Sequence, residues 1–203
     1  MSTTAEQPRV SLVAAAKALA TTLLADDPRR LDHVTTAASQ AEKLAITVDP
    51  ADRETLIAAA WLHDIGYVPA LRDIGFHPVD GARYLCAHEW PHLIADLVAH
   101  HSGARFVAEE RGLSDALADF VFTEDALSDA LTIADQTAGP CGQVMLVEHR
   151  MADMLSRHGP QSPNARAHDR RGPYFRAARD RVRQRLAVAD PTMVLPAPEP
   201  QPE

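Results

Sequence analysis

The heptapeptide WLHDIGY, residues 61–67, decides the fold. It closes an apolar run in which Leu56 and Ala60 precede His63 at helical spacing, so the imidazole extends an apolar helix face towards the interior. Burying a carboxylate such as Asp64 beside an imidazole is costly unless something compensates them, and a cation held by both is one such compensation. The heptapeptide therefore predicts a metal site at the end of a buried helix.

The composition around this stretch favours an all-α protein of one domain. The 203 residues include 46% hydrophobic side chains, which is enough for one sizeable core, and only 9 glycines and 5% aromatic residues. Ala and Leu are abundant and the sequence has no alternating runs of Val, Ile and Thr, so helix is favoured nearly throughout. We expect a compact helical bundle over residues 1–189 and a disordered, proline-rich tail over residues 190–203.

Charge, cysteine content and the amino terminus limit the partners. The net charge of −8 argues against a general nucleic-acid surface, because phosphate backbones demand a basic stripe. Cys86 and Cys141 are too few for a disulfide framework and fit a reducing compartment. The apolar run over residues 12–24 is broken by Lys17 and predicts no membrane span. We expect a cytoplasmic protein without membrane or nucleic-acid partners, and a homodimer stays open.

Turn and cap signals divide the chain into helices. Proline after a capping residue marks several helix starts, and glycine marks several ends. The acidic segment over residues 106–122 is expected to be irregular or short-helical and to form a lid. The predicted helices cover residues 10–24 and 29–48, a stretch from Asp49-Pro50 to about residue 65, stretches opened by His77-Pro78 and Trp90-Pro91, one capped by Thr123, and residues 147–158 and 174–188.

Two other metal-capable side chains lie near helix starts. His33 lies beside Val34 of an apolar stripe, where it can point inward or be a polar residue on the flank of its helix. His77 precedes Pro78, where it can bond free backbone amides or reach a site between helices. Neither position by itself separates a metal ligand from a structural residue.

Three more lie at the ends of inward helix faces. His100 and His101 continue the apolar face of their helix, although a His pair there can also stabilise the negative end of the helix dipole. Asp135 follows Leu131 by four residues, where an acid is costly unless it has a partner or turns to the surface. Separate structural roles for each of these residues explain their combination poorly. The whole set is His33, His63, Asp64, His77, His100, His101 and Asp135.

The order of these residues resembles the HD superfamily, whose pattern is a His, then a His-Asp pair, then a distant Asp. The resemblance covers about residues 31–139 and implies a helical HD-domain bundle with a metal site between its central helices. The segments that carry it are LDHV, WLHDIGY, FHPVDGARYL, VAHHSGAR and LTIADQT.

By this resemblance the candidate ligands fall into two groups. The residues that match the ligands of one metal are His33, His63, Asp64 and Asp135. The additional ligands of members with two metals are matched by His77 and by the pair His100 and His101, and Asp64 would bridge the ions. Imidazole and carboxylate ligands together suit iron, manganese, zinc or nickel better than calcium or magnesium.

The resemblance implies a metal-dependent phosphohydrolase acting on a small phosphate ester or nucleotide. Two such ions would lower the pKa of a bridging water and supply hydroxide for in-line attack on phosphorus. His63 and Asp64 are the catalytic candidates, Asp64 by positioning that hydroxide. Substrate phosphate also needs cationic partners, and the candidates near the ligands in sequence are Arg72, Arg83 and Arg105, each of which can instead be a solvated surface residue.

Departures from known subgroups narrow the substrate. The cyclic-dinucleotide phosphodiesterases of the HD-GYP subgroup have Lys where this chain has Tyr67, and a Gly-Tyr-Pro motif where it has residues 102–104, Ser-Gly-Ala. The alarmone hydrolases carry an acidic pair shortly after the His-Asp, where this chain has residues 66–68, Gly-Tyr-Val. Both activities are disfavoured. Two other classes stay open, namely an HD-type di-iron oxygenase using four His and two Asp ligands, and a non-catalytic metal-binding regulatory protein.

Overall fold

Eleven α-helices run through residues 11–193 and 195, which are the residues that this computed structural model describes. Outside the helices, the paired backbone in this part of the chain is one isolated antiparallel bridge between Ala138 and Val144. The all-α fold class is therefore confirmed. In chain order the helices are α1 (Leu12–Leu23), α2 (Pro28–Leu44), α3 (Arg53–Leu62), α4 (His77–Ala87), α5 (His92–His100), α6 (Ala104–Arg111), α7 (Ser114–Leu117), α8 (Ala126–Gln136), α9 (Val147–His158), α10 (Pro163–Arg166) and α11 (His168–Ala189). Short 3-10 turns cover Ala45–Thr47, Pro50–Asp52, Ile65–Tyr67, Pro69–Leu71 and His101–Gly103.

Side-chain caps explain where several of these helices begin. Asp27 precedes Pro28, and its carboxylate accepts a hydrogen bond from the backbone amide of Arg30, at the turn that the sequence predicted. The start of α8 differs from the prediction, because Asp125 rather than Thr123 caps this helix. Asp125 accepts from the Ser128 amide while the Ser128 hydroxyl accepts from the Asp125 amide, so two free amides are satisfied at once.

Several predicted helices have different bounds. The helix predicted over residues 29–48 ends at Leu44 and is followed by the 3-10 turn Ala45–Thr47. The stretch opened by Asp49-Pro50 is not one helix, since α3 ends at Leu62 and is flanked by 3-10 turns, the second of which carries Gly66 close to the backbone of α4. The last helix begins at His168, six residues earlier than predicted, and continues through Pro173. Burial of Tyr174 and Phe175 against the core accompanies this continuation past a proline that cannot donate a helix hydrogen bond.

Helices α3 and α8 lie at the centre of the hydrophobic core. Helix α3 packs against α1, α2, α5 and α8, and α8 also packs against α2 and α11. The residues of α8 from Leu127 to Gln136 are all buried. His63 at the end of α3 and Asp135 in the last turn of α8 are therefore held in the interior. The apolar spacing before His63 predicted this burial, whereas the spacing before Asp135 left surface placement open.

A buried carboxylate ties α11 to α8. Asp129 is fully buried and accepts hydrogen bonds from Arg181 at 2.9 and 2.6 Å and from Arg185 at 2.9 Å. Both arginines belong to α11 and are partly exposed. The ion pairs compensate the desolvation of Asp129, so this contact fixes how α11 lies on the rest of the molecule.

The two ends of the chain are described in part. Residues 1–10, where the predicted domain begins, lie outside the described residues, as do residue 194 and residues 196–203 of the predicted tail. Leu195, within that tail, packs against the core. Among the helices that the structure describes, none is both long and apolar enough to cross a membrane.

Candidate metal centre

Five chain segments bring imidazole and carboxylate side chains to one point. His33 comes from the first turns of α2, and His63 and Asp64 directly follow α3. The Nε2 atoms of His33 and His63 are 3.2 Å apart. His77, the first residue of α4, and His101, the residue after α5, form a second imidazole pair with 3.3 Å between their Nε2 atoms. The six residues whose ligand atoms converge in overlapping groups are His33, His63, Asp64, His77, His101 and Asp135.

Asp64 lies between the two imidazole pairs. Its Oδ2 atom is 3.5 Å from Nε2 of His33 and 3.6 Å from Nε2 of His63. Its Oδ1 atom is 3.4 Å from Nε2 of His77 and 3.7 Å from Nε2 of His101. Each oxygen of this buried carboxylate thus faces one pair, which is the arrangement that a bridging ligand of two ions requires.

Backbone carbonyl groups orient three of the imidazoles. A carbonyl oxygen can only accept, so the Nδ1 atom that approaches it carries the hydrogen in each of His33, His63 and His101. In the neutral ring the Nε2 atom that faces the cluster then carries a lone pair, which is the state that binds a metal. The acceptors are the carbonyl oxygens of Gly139, Ala60 and Val98, at 3.2, 2.7 and 2.6 Å respectively.

The electrostatics of the cluster favour the protonation states that a cation needs. Burial lowers the pKa of His63 to about 4, so this imidazole is neutral at neutral pH. Burial acts to raise the pKa of Asp64, but Arg30 and the surrounding imidazoles outweigh it, and the pKa lies well below the usual range. The pKa of Asp135 is lowered in the same way, with His33 as the main opposing partner. Neutral imidazoles and charged carboxylates are the forms that hold divalent metals.

A proton can take the place of a cation between His33 and Asp135. Burial acts to lower the pKa of His33, but the hydrogen bond with Asp135 and the charge of Asp64 outweigh it and raise the pKa. The Nε2 atom of His33 is 3.1 Å from Oδ1 of Asp135. The two carboxylates thus favour positive charge at the point where the donor set would hold a metal, and the residues present fit a transition-metal ion.

Two neutral side chains orient Asp135. The Ser102 hydroxyl donates to its Oδ2 atom, and the Gln136 amide donates to the same oxygen at 3.0 Å. The other oxygen, Oδ1, is left facing His33 and His63. Ser102 has φ 49°, a left-handed conformation, and this bend in the turn that follows α5 carries its hydroxyl to the site. Sequence reasoning missed Ser102, because the signal lies in the backbone bend.

Comparison with known proteins agrees with this geometry. The family model of the HD domain matches residues 30–136, which is more than half of the chain. The chain belongs to the HD domain family. Most members of this family are metal-dependent hydrolases, and HD domains bind divalent metals. No curated protein and no solved structure matches the chain. The superfamily assignment made from the sequence is therefore confirmed.

Arg30 is a charged residue beside the metal centre that the sequence reasoning missed. Its Nη1 atom donates to Oδ2 of Asp64 at 2.5 Å, and its guanidinium lies 3.8 Å above the ring centre of Tyr67. Tyr67 in turn stacks on His77 with 3.9 Å between ring centres. Arg30 precedes His33 by three residues in α2, so helical spacing was a signal that could have found it. Tyr67 positions both the cation and an imidazole.

The structure does not bring His100 to the centre. Helix α5 ends at this residue and the backbone turns at His101, so the two neighbouring rings point in different directions. The Nε2 atom of His100 donates to the Phe120 carbonyl at 3.0 Å, and its ring packs on Phe122. The predicted pair of ligands is therefore corrected to His101 alone.

The three arginines predicted to bind substrate have different locations. Arg72 lines the cavity above the centre and donates to the Tyr67 carbonyl at 3.3 Å. Arg83 forms an ion pair with Asp73, 2.5 Å away, on the exposed side of α4, so its guanidinium is directed away from the centre. Arg105 is enclosed by the rings of Phe106, Phe122 and Tyr174, so it has a packing role.

A cavity of about 550 Å³ opens above the HD residues. Asp64, His77, His101 and Asp135 lie at its floor, and Phe76 and Met154 add apolar surface. Cavities of this size accept small-molecule ligands. Arginine is the main cationic residue in its lining, and the arginines among the described lining residues are Arg30, Arg72, Arg111, Arg150, Arg157 and Arg171.

Proposed function

We propose that this HD domain protein is a metal-dependent phosphohydrolase that hydrolyses a small phosphate ester or nucleotide with metal-activated water. The observation that supports this function is the position of Asp64, whose two oxygens each face a pair of imidazoles beneath an arginine-lined cavity. The ligand types suit iron, manganese, zinc or nickel. A cavity rich in guanidinium groups favours an anionic substrate, and phosphate is one of the anions that guanidinium binds through paired hydrogen bonds.

The two imidazole pairs would provide two metal positions, with Asp64 between them. His33 and His63 would hold one ion, and His77 and His101 would hold the other, while Asp135 faces the first pair. When bound, such ions supply a water of lowered pKa and neutralise charge on the phosphoryl oxygens. The protein contributes fixed ring orientations and a carboxylate that stays charged.

Arg30 would bind the phosphoryl group beside the metal positions, and Tyr67 would hold Arg30 in place. The Arg30 guanidinium lies at the cavity wall and contacts Asp64, while its Nε atom is buried without a hydrogen-bond partner among the described residues. It can donate to a non-bridging phosphoryl oxygen and so stabilise the charge that develops during attack. Tyr67 keeps the guanidinium in place through the stacked contact with its half-buried ring.

A di-iron oxygenase is the second candidate because the same six residues supply four imidazoles and two carboxylates. That donor set holds two irons as well as it holds two hydrolytic metals. The arginine lining favours an anionic substrate in either case. The convergence of six ligand residues beside an open cavity supports an enzyme over a non-catalytic binding protein.

The test pairs a metal analysis with neighbouring histidine variants. His101→Ala should lose metal and phosphate release, whereas His100→Ala should keep the metal content of the unchanged protein, because His100 bonds to Phe120 instead of facing the cluster. Protein purified without chelator is analysed for metals, examined by absorption spectroscopy under air and assayed on p-nitrophenyl phosphate and nucleoside monophosphates. Two metals per chain and phosphate release are expected.

Three outcomes would overturn the hydrolase proposal. Two irons with an oxygen-sensitive spectrum and no phosphate release would favour the oxygenase. A protein that binds no metal after reconstitution with iron, manganese, zinc or nickel would contradict both enzyme functions. Full metal content in His101→Ala would show that the cluster does not hold the ion.

A further inference from the structure

Part of the cavity wall comes from a segment of the chain that the HD family match does not include. That match ends at residue 136, and helices α9, α10 and α11 follow it. These helices contribute Arg150, Arg157 and Arg171 to the cavity lining. We refer to these three residues as the arginine wall. The metal centre and the arginine wall therefore belong to different segments of the sequence but face the same space.

One carboxylate serves two guanidinium groups of the arginine wall. Asp153 accepts from Nη1 of Arg150 at 3.3 Å and from Nε of Arg157 at 2.8 Å. The Arg150 side chain is 11% exposed, and its Nε atom is buried without a hydrogen-bond partner in the described part of the chain. A buried guanidinium with an unused donor is costly, so this pair has capacity for an anion.

The third guanidinium group makes its hydrogen bonds to uncharged groups. Arg171 donates from Nε to the Ser102 carbonyl at 2.8 Å and from Nη1 to the Asn164 side-chain oxygen at 3.0 Å. These bonds fix the direction of the guanidinium without neutralising its charge. Ser102 also donates to Asp135, so Arg171 is linked to the metal centre through one residue.

The positive charge of the arginine wall exceeds what one phosphate at the metal centre would use. A phosphoryl group there would be neutralised by the metal ions and by Arg30 beside Asp64. The arginine wall brings three more guanidinium groups, of which Arg150 and Arg157 share the carboxylate of Asp153 and Arg171 bonds to uncharged groups. Placing like charges together in a partly buried cavity is unfavourable unless a ligand compensates them.

We propose that the arginine wall binds a second phosphate group of the substrate, so that the protein acts on small molecules that carry two phosphates. This inference rests on the proposed phosphohydrolase function, and it assigns the selectivity for the second phosphate to helices outside the HD domain. The cavity of about 550 Å³ is large enough for a nucleotide with both groups engaged.

The experiment compares three probes that share one base and sugar. Adenosine monophosphate carries one phosphate, adenosine diphosphate carries two adjacent phosphates, and adenosine 3′,5′-bisphosphate carries two separated ones. The full-length, metal-loaded protein should favour at least one two-phosphate probe over the monophosphate by about tenfold or more in kcat/KM, since a charge-assisted hydrogen-bonded pair contributes a factor of that order. Calorimetric binding of the same probes in EDTA should show the same preference without turnover.

Substitutions in the arginine wall should remove that preference. The double variant Arg150→Gln, Arg171→Gln should bring the ratio between probes close to one in both measurements. The Arg157 side chain is 40% exposed, so the single variant Arg157→Gln should fold normally and still reduce the ratio between probes. A reduced ratio in this variant would show that a folding defect is not the cause of the loss in the double variant. Arg176→Gln is the matched control, because this arginine is exposed on α11 and should leave the ratio unchanged.

Two results would overturn the inference. The monophosphate could be bound and hydrolysed as well as both two-phosphate probes, or the variants could keep the preference of the unchanged protein. Failure of the phosphohydrolase function is distinguishable from both. In that case no probe releases phosphate, while binding in EDTA still reports whether the arginine wall discriminates between one and two phosphates.

Discussion

Substituting Gly66 by Ala should impair one of the two proposed metal positions and leave the other intact. Gly66 lies in the 3-10 turn Ile65–Tyr67, where the chain passes the start of α4. A Cβ atom on this residue would lie 2.0 Å from the carbonyl oxygen of His77 and 2.6 Å from the amide nitrogen of Gly81. Both neighbours are backbone atoms, so no side-chain rotation can relieve the overlap. The start of α4 would have to retreat by about 1.4 Å to reach ordinary contact.

This retreat has consequences for stability and for metal binding. Overpacking of this kind costs about 1 to 3 kcal/mol, which in a chain of this length lowers the melting temperature by roughly 2 to 12 °C. His77 moves with α4, and a shift of about 1.4 Å far exceeds the roughly 0.2 Å that a metal–nitrogen bond tolerates. His33, His63 and Asp135 come from other segments and stay in place. The metal content of Gly66→Ala should therefore fall from the proposed two ions per chain to one.

The assay is thermal unfolding together with elemental analysis of reconstituted protein. Gly172→Ala is the matched control, because Gly172 is helical in α11 and the nearest atoms to an added Cβ belong to the movable side chains of His168, at 3.3 Å, and Arg176, at 3.6 Å. Alanine is the better helix former there, so the control should unfold at the same temperature or slightly above it. A Gly66→Ala protein with two ions and an unchanged melting temperature would refute the reasoning.

Two further predictions concern buried charge. The metal-free protein should lose stability as the pH falls from about 6.5 to about 4, because burial lowers the pKa of His63 to about 4 and the unfolded chain then binds a proton that the folded chain does not. Urea unfolding in EDTA measures this, and a free energy of unfolding that stays flat over that window would contradict it. Asp129→Ala should destabilise the protein by about 2 kcal/mol, since it leaves Arg181 and Arg185 without their buried partner, although solvent reaches both arginines and moderates the loss. Urea unfolding again gives the value, with unchanged metal content as the control, and an unchanged midpoint would show that α11 does not depend on this contact.

The sequence was informative where a polar residue ends an apolar helix face. Leu56 and Ala60 ahead of His63, and Leu131 ahead of Asp135, indicated that a metal-capable side chain continues a buried face, and both are buried in the core. Helical periodicity carries this information because it depends on residues three and four apart. The all-α class followed from the same local preferences.

Other features depend on geometry that local spacing does not contain. His100 and His101 are adjacent, and which of them faces the cluster is decided by where α5 ends and the backbone turns. Arg150 and Arg171 reach the cavity through the packing of α9 and α11, far along the chain from the HD motif. Arg30 is different, since its spacing of three from His33 was visible in the sequence.

The hydrogen bonds that orient His63 and His101 also influence how the ions can be exchanged. Each imidazole donates to a carbonyl three residues earlier, Ala60 or Val98, in the last turn of its own helix. Those carbonyls lack a partner within the helix, so one bond both completes the helix end and aims the ring. Ring orientation is thus inherited from secondary structure, and a chelator can empty the centre without disordering it. The metal found after purification will then reflect the metals present in the growth medium. Reloading the emptied protein with one metal at a time is the experiment that identifies the metal it uses.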